Sequence, residues 1–122
     1  MSKKIFIVYG HHNSETSFNA AIRDTFIDEA KKIGHEIDLV NLYQENQLHF
    51  YNGEPPNEQV LNYRERLEKC DVMFLVSPCY NLRASAILEN WIDLVLAPKW
   101  FFAFKRVVGN WGYPVAGKMK GK

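Results

Sequence analysis

Apolar residues along the chain follow two alternating spacings. Two short runs of consecutive apolar residues, at 5–9 and 72–76, predict strands buried on both faces of a sheet. Ile37, Leu39 and Val40 predict a further strand over residues 36–41. Elsewhere apolar residues recur every three or four positions, which predicts amphipathic helices over residues 17–33, 60–69 and 84–97. Strands that alternate with helices predict an α/β fold with right-handed crossovers and a parallel sheet.

The segment after the third predicted helix has a different character. Pro98 ends the helical pattern, and an aromatic cluster follows at Trp100–Phe104. The segment from there to Lys122 contains several glycines and Pro114, which interrupt regular secondary structure. We therefore expect a loop there and no fourth or fifth strand. No repeat, low-complexity tract or linker divides the sequence, and we expect residues 1–122 to form a single domain.

Composition narrows the class of protein. With 122 residues, of which 47 % are hydrophobic and 24 % charged, the chain has the mix of an ordinary globular domain. Fifteen Lys or Arg balance 14 Asp or Glu, giving a net charge of +1, which argues against a nucleic-acid binder. No apolar run reaches the ~20 residues of a membrane span. We find no signal-peptide pattern at the N-terminus, and we expect Cys70 and Cys79 to be reduced thiols. We therefore expect a cytoplasmic protein.

A polar segment that follows the first predicted strand is the first candidate binding site. It runs from Gly10 to Asn19 and carries imidazoles, hydroxyls and amides directly before a helix N-terminus, where free N–H groups and the helix dipole favour anions. The spacing matches neither a Walker loop nor a dinucleotide-binding turn. The alternative is that Thr16 or Ser17 only caps the helix. The neighbouring His11 and His12 cannot easily share one ion, so we expect no metal site.

The loop after the third predicted strand is the second candidate. In an open parallel sheet, ligands bind beyond the carboxyl ends of the strands. Here Tyr80 and Asn81 could frame a flat ring with an aromatic group and an amide, although an ordinary β–α loop would have similar composition. Cys79 has no partners in a Cys-His-Asp arrangement, and we assign no catalytic residue.

The two segments, in this order, resemble the flavodoxin-like NAD(P)H dehydrogenase (quinone) family. Residues 4–11 are similar to its first strand and histidine, and Ser17-Phe18-Asn19 to the Ser-Phe-Asn that begins its first helix. Residues 34–43 resemble its "GHEV…DLY" stretch, residues 86–95 its "PAILKGWIDRV" helix, and residues 102–104 its "GFAF" segment. Five matches in the same order along the chain make the resemblance fairly specific.

The resemblance implies a flavodoxin-like three-layer α/β/α fold with strand order 2-1-3, and a flavin-binding domain. It implies FMN or FAD as cofactor, with the phosphate side in the first loop and the isoalloxazine along the second. The implied cosubstrate is NADH or NADPH, and the implied electron acceptor is a quinone or a similar small molecule. The implied assembly is a homodimer. The implied cofactor-binding residues are His11, His12, Ser17, Phe18, Asn19, Pro78, Cys79, Tyr80, Asn81 and Leu82.

The sequence departs from the family pattern at three places. After Pro78 the family usually has Leu-Trp-Trp, where this chain has Cys79-Tyr80-Asn81, and Ser85 stands where the family has proline. Residues 119–122 resemble the "LKGK" before the family's fourth strand, and its glycine-rich "TTGG" loop does not follow. We therefore expect the N-terminal part of a reductase. The alternatives are a non-catalytic ancillary subunit of the potassium-efflux type and an inactive truncated product.

Overall fold

The computed structural model describes residues 1–115 and 117–119 of the chain. The elements, in chain order, are β1 (Lys4–Tyr9), α1 (Phe18–Lys32), β2 (Glu36–Asn41), α2 (Glu58–Lys69), β3 (Val72–Val76), α3 (Ala86–Val95), β4 (Ala103–Val108) and β5 (Trp111–Val115). The first six elements confirm the predicted β-α-β-α-β-α order. Strands β2, β1 and β3 form a parallel sheet in that spatial order, as the family resemblance implied.

Strand β1 is the centre of this sheet and is buried on both faces. Because side chains alternate along a strand, Phe6 and Val8 pack with residues of α2 and α3 on one face. Ile5, Ile7 and Tyr9 pack with residues of α1 on the other. All five are at most 3 % exposed, and burial of each such side chain contributes about 1.5–3 kcal/mol. The helices therefore cover both faces of the sheet, with α1 opposite α2 and α3.

The expectation that a fourth and a fifth strand are absent is wrong. Strands β4 and β5 pair with each other as an antiparallel hairpin, separate from the parallel sheet. Two glycines permit it. Gly109 takes a φ of +55° in the turn, and a Cβ at Gly112 would lie 2.5 Å from the Lys105 carbonyl oxygen across the hairpin. The Gly109-Asn110 pair between two apolar-rich runs is a hairpin signal that the sequence interpretation missed.

Only part of the apolar stripe of α1 packs against the sheet. Phe18, Ile22 and Ile33 are 80 %, 39 % and 72 % exposed, whereas Ala20, Arg23 and Ala30 are buried. Phe18 and Ile22 belong to a shallow apolar surface that continues through Phe26 to Phe74 of β3. Within the described residues this surface has no cover, because β3 is the last strand on that side of the sheet.

The open edge of β3 is expected to make the 122-residue chain self-associate as its concentration rises. The strand is apolar throughout and lacks the charges that protect edges, whereas the opposite edge strand β2 carries Glu36 and Asp38. Substitution Val72→Lys should reduce association in analytical ultracentrifugation. The matched Leu39→Lys variant on β2 should not, and equal effects of both variants would contradict the assignment to the β3 edge.

Candidate functional site at the carboxyl edge of the sheet

The two loops proposed from the sequence meet at the carboxyl ends of β1 and β3. The Gly10 N–H donates to the Val76 carbonyl at 2.8 Å, which ties the end of β1 to the end of β3. The Ser85 hydroxyl, at the start of α3, donates to the Gly10 carbonyl at 2.6 Å. The Ser85 N–H in turn donates to the Ser77 hydroxyl oxygen at 2.9 Å. We call residues 10–17 the first loop and residues 77–85 the second loop; these bonds join them.

The first loop is organised by one amide side chain. Asn13 Oδ1 accepts the backbone N–H groups of Glu15 and Thr16, both at 3.0 Å. Its Nδ2 donates to Thr16 Oγ1 at 2.9 Å, and its own backbone N–H donates to His11 Nδ1 at 2.9 Å. The Asn side chain thus folds the loop as an Asx turn directly before α1.

Ser17 is the N-cap of α1, one of the two capping residues that the sequence offered. Its Oγ accepts the Ala20 N–H at 3.0 Å, donates to the Asn13 carbonyl at 2.7 Å, and lies 2.9 Å from the Tyr9 hydroxyl. A hydroxyl has one proton and two lone pairs, so these contacts fill its bonding capacity. The Ser17 side chain therefore has no remaining donor for an anion.

The backbone at the start of α1 does have donors. The N–H groups of Phe18 and Asn19 have no acceptor among the described residues. They are the first two donors of the helix, which have no partner within it, and the first turn carries no acidic side chain. Asn19 is half-buried and Phe18 is exposed. This helix end has the hydrogen-bonding and electrostatic character of an anion site.

Two imidazole rings lie together on the first loop. His11 and His12 stack with ring centroids 4.4 Å apart, and Tyr43, just after β2, meets the His12 ring edge-on at 6.4 Å. His11 uses Nδ1 within the loop, whereas His12 is exposed. Among residues 1–115 and 117–119, no group of three or more His, Cys, Asp or Glu side chains is arranged to hold a metal.

Two residues behind the first loop were not identified from the sequence. Arg23 is 8 % exposed, donates to the Ser14 carbonyl at 2.7 Å, and lies over the Tyr9 ring at 4.5 Å from its centroid. The Tyr9 hydroxyl also reaches the Asn13 carbonyl at 2.7 Å. Two features of the sequence could have identified these residues. Tyr9 ends a buried strand, and Arg23 lies near the start of the following helix.

The second loop contains a tight turn of unusual composition. Tyr80 and Arg83 exchange two backbone hydrogen bonds of 3.0 and 3.1 Å. The residues between them, Asn81 and Leu82, have φ values of +49° and +63°, as in a type I′ turn. Glycine and asparagine favour such values, but leucine does not. Leu82 is 97 % exposed, so no packing offsets its strain. Strained residues of this kind cluster at functional sites.

The strain at Leu82 predicts that Leu82→Gly raises the free energy of unfolding by about 0.5–1 kcal/mol. Glycine removes the steric cost of the left-handed conformation, and its greater freedom in the unfolded chain returns part of that gain. Urea unfolding measures the change. Leu61→Gly, at a half-exposed position inside α2, is the matched control and should instead lower stability by about 1 kcal/mol. A destabilised Leu82→Gly variant would contradict the assignment of strain.

The second loop borders a cavity of about 390 Å³. Tyr80, Asn81 and Arg83 line one side, and Phe50 and Asn90 lie on the other. Pro78 is half-buried, while Cys79 is an exposed free thiol. The volume falls within the range of small-molecule sites.

A second cavity, of about 400 Å³, continues from the first along α3. It shares Phe50 and Asn90 with the first cavity and extends to Tyr43 and Trp91. Trp91 is 1 % exposed, and its Nε1–H has no partner among the described residues. Tyr63 also lines this cavity, and burial raises the pKa of its hydroxyl. The larger cavity of about 610 Å³ lies away from both loops, between residues 48–57 and Trp100.

A parallel sheet of order β2-β1-β3 with helices on both faces defines an open, doubly wound α/β fold. The chain belongs to the family described as having a flavodoxin-like fold, whose profile matches residues 3–122. This match confirms the resemblance found in the sequence.

Similar proteins were found among curated sequences and solved structures. The chain is 25 % identical, over 98 % of its length, to the mouse protein named ribosyldihydronicotinamide dehydrogenase [quinone]. It is 28 % identical, over 78 % of its length, to the FMN-dependent NADH:quinone oxidoreductase of Coprothermobacter proteolyticus. The chain spans only 60 % and 54 % of these two relatives.

The fold is also similar to that of a solved NAD(P)H:quinone oxidoreductase from Methanothermobacter marburgensis. The TM-score is 0.72 at 22 % identity, and the match covers 79 % of this chain and 54 % of that one. At this identity the likeness concerns the fold alone.

Proposed function

We propose that the chain is the flavin-binding part of an NAD(P)H:quinone-type oxidoreductase, in which a hydride passes from NADH or NADPH through FMN or FAD to a quinone or similar acceptor. The observation that carries the proposal is the start of α1, where the N–H groups of Phe18 and Asn19 have no acceptor among the described residues. The His11–His12 stack lies on the same loop. The names of the mouse and Coprothermobacter relatives support the same reaction class.

The two loops fit the two ends of a flavin nucleotide. At the first loop, backbone donors at the start of α1 and the imidazoles of His11 and His12 suit a phosphate, and the Ser17 cap holds the helix end in place. At the second loop, Tyr80 and Asn81 line a cavity of about 390 Å³, a volume in the range of small-molecule sites. A bound flavin would supply the hydride-accepting and hydride-donating chemistry. The residues of this chain would bind and orient it, and we assign none of them a catalytic role.

Titration with FMN and with FAD tests the proposal. Saturable quenching of flavin fluorescence by the 122-residue chain is expected, and no binding of either flavin would overturn the proposal. NADH or NADPH oxidation with a water-soluble quinone then separates the candidate functions. Turnover supports the oxidoreductase, whereas flavin binding without turnover favours an ancillary subunit of the same fold.

Cytoplasmic location and a homodimer complete the proposal. No helix among the described residues is long and apolar enough to cross a membrane. The apolar arc of α3 does not support the homodimer, since Leu88, Trp91 and Val95 are buried within the chain. The exposed apolar side chains of Phe18 and Ile22 on α1 are the available surface for it. Light scattering at micromolar concentration tests the dimer, and a monodisperse monomer would exclude it.

A further inference from the structure

The face of α1 that packs against the sheet carries a charged residue. The buried residues of this helix are Ala20, Arg23 and Ala30, and Arg23 is 8 % exposed. Arginine is almost never buried unless it is paired, because the transfer of a charge out of water is costly. The partners of Arg23 therefore show what the burial of its charge achieves.

The Arg23 side chain reaches back past the start of its own helix. Its Nη2 donates to the Ser14 carbonyl at 2.7 Å, and its guanidinium carbon lies 4.5 Å from the centroid of the Tyr9 ring. Side chains of a helix lean toward its N-terminus. A residue about one and a half turns into α1 can therefore place its charge behind the first loop.

Arg23 and Tyr9 turn two carbonyl oxygens of the first loop toward the interior of the protein. The Ser14 carbonyl accepts from Arg23, and the Asn13 carbonyl accepts from the Tyr9 hydroxyl at 2.7 Å. Tyr9 is fully buried and Arg23 is nearly so, so both carbonyls point away from solvent. Since a carbonyl oxygen repels an anion, these two contacts leave the outer side of the loop better suited to bind one.

The charge of Arg23 adds to the positive end of α1. A cation near a helix N-terminus opposes the helix dipole and is normally unfavourable, and the first turn has no acidic side chain to offset it. Arg23 pairs with Asp24 at 2.8 Å, but the Asp24 side chain is 55 % exposed. Glu15 of the first loop is exposed as well, so water screens both carboxylates. The start of α1 therefore keeps a positive potential that a bound anion would offset.

We propose that Arg23 is the positioning residue of a phosphate site at the start of α1. It holds the Ser14 carbonyl away from the ligand and supplies positive potential from behind the first loop, while the N–H groups of Phe18 and Asn19 donate to the phosphate. The inference rests on the proposed function for the identity of the ligand, a flavin nucleotide. The alternative is that Arg23 only stabilises α1 against the sheet, and its loss would then weaken the binding of every flavin alike.

Titration with FMN and with riboflavin separates the two roles, because these flavins differ only in the phosphate. The wild-type chain should bind FMN about a hundredfold more tightly than riboflavin, since hydrogen bonds to a charged group are strong. Arg23→Met keeps the length of the side chain without its charge and should reduce this ratio about tenfold or more. Arg23→Lys keeps the charge and should hold the ratio within about threefold of the wild-type value. An unchanged ratio in Arg23→Met would overturn the proposal.

Arg64 provides a matched control for the loss of a guanidinium. It also donates to backbone carbonyls, those of Leu94 and Val95, and its guanidinium carbon lies 4.9 Å from the centroid of the Trp100 ring. Arg64 lines the cavity that lies away from both loops. Arg64→Met should lower the melting temperature about as much as Arg23→Met does, but should leave the ratio of FMN to riboflavin affinity within about twofold. Equal losses of this ratio in the two variants would leave Arg23 a structural role only and overturn the proposal.

Thermal unfolding with inorganic phosphate tests the role of Arg23 without a flavin. Phosphate should raise the melting temperature of the wild-type chain and of Arg64→Met more than sodium chloride of equal ionic strength does, and that of Arg23→Met clearly less. If this result were obtained and neither flavin bound, the flavin assignment would fail while the role of Arg23 remained. If FMN and riboflavin bound the wild-type chain equally tightly, the role of Arg23 would be wrong while flavin binding remained. Equal effects of phosphate on all three chains, without flavin binding, would overturn both.

Discussion

Substitution Trp91→Ala is expected to lower the free energy of unfolding by about 3–5 kcal/mol, the usual cost of removing a buried aromatic side chain. Trp91 is 1 % exposed and packs against Phe6 and Tyr63, with ring centroids 6.2 and 6.0 Å away. It therefore joins α3 to both β1 and α2. Because small domains are stable by only about 5–15 kcal/mol, the variant should be close to unfolding in water. Urea titration followed by circular dichroism measures the loss.

Two comparison variants define what the loss at Trp91 means. Trp111→Ala removes the same side chain from an 80 % exposed position and should change stability by less than about 0.5 kcal/mol. Trp91→Phe should cost less than about 2 kcal/mol, because it also removes a buried N–H without a protein partner, and such groups cost about 1–3 kcal/mol. If Trp91→Phe were as costly as Trp91→Ala, the indole N–H would be hydrogen-bonded in solution.

Substitution Ser17→Asp is expected to weaken flavin binding by about 2–3 kcal/mol while leaving the fold stable. Aspartate is as good an N-cap as serine, so it can replace the bond to the Ala20 N–H. Its negative charge, however, would lie beside the helix end proposed to bind a phosphate. Two like charges near a protein surface repel by about 4 kcal/mol at 4 Å before salt screening. Fluorescence titration with FMN and thermal unfolding measure the two effects separately.

The position of the charge is the critical control for Ser17→Asp. Thr25→Asp adds the same charge to an exposed site two turns further along α1, and should change flavin affinity by less than about 0.5 kcal/mol. Ser17→Ala removes the cap without adding charge and should lower both helix stability and flavin affinity by about 1 kcal/mol. If Ser17→Asp bound flavin as tightly as the wild-type chain, the phosphate assignment would be wrong.

Hydrophobic periodicity was sufficient to predict the parallel part of the fold. The β2 and β3 predictions agree with the strands residue for residue, and β1 begins one residue earlier than predicted, at Lys4. A charge before the strand at Asp71 marks the start of β3, and Gly10 marks the end of β1. The C-terminal hairpin was missed because Pro114, which lies inside β5, normally indicates a loop. It is tolerated because an isolated two-stranded hairpin has outward-facing edges where no N–H is required.

The position of the candidate site could be predicted from the sequence, but the contacts of its side chains could not. Parallel strands end at one edge of a sheet, so the loops after β1 and β3 were expected to be close, and the Gly10–Val76 bond shows that they are. Capping by Ser17 was predicted, but the full use of its hydroxyl proton and the strain at Leu82 were not accessible from the sequence. Whether a hydroxyl is already committed depends on the fold of the loop around Asn13. The left-handed conformation of Leu82 runs against its own propensity, so a local pattern could not reveal it.

The close contact at Gly10 constrains how this sequence can change over evolution. A Cβ at this position would lie 3.0 Å from the Ser85 hydroxyl oxygen and 3.1 Å from the Leu88 Cβ. An alanine at position 10 therefore requires the start of α3 to move away by a few tenths of an ångström, whereas glycine leaves Ser85 and Leu88 where they are. In a family alignment, replacement of this glycine is expected to accompany changes at position 85 or in the packing of α3 against β1.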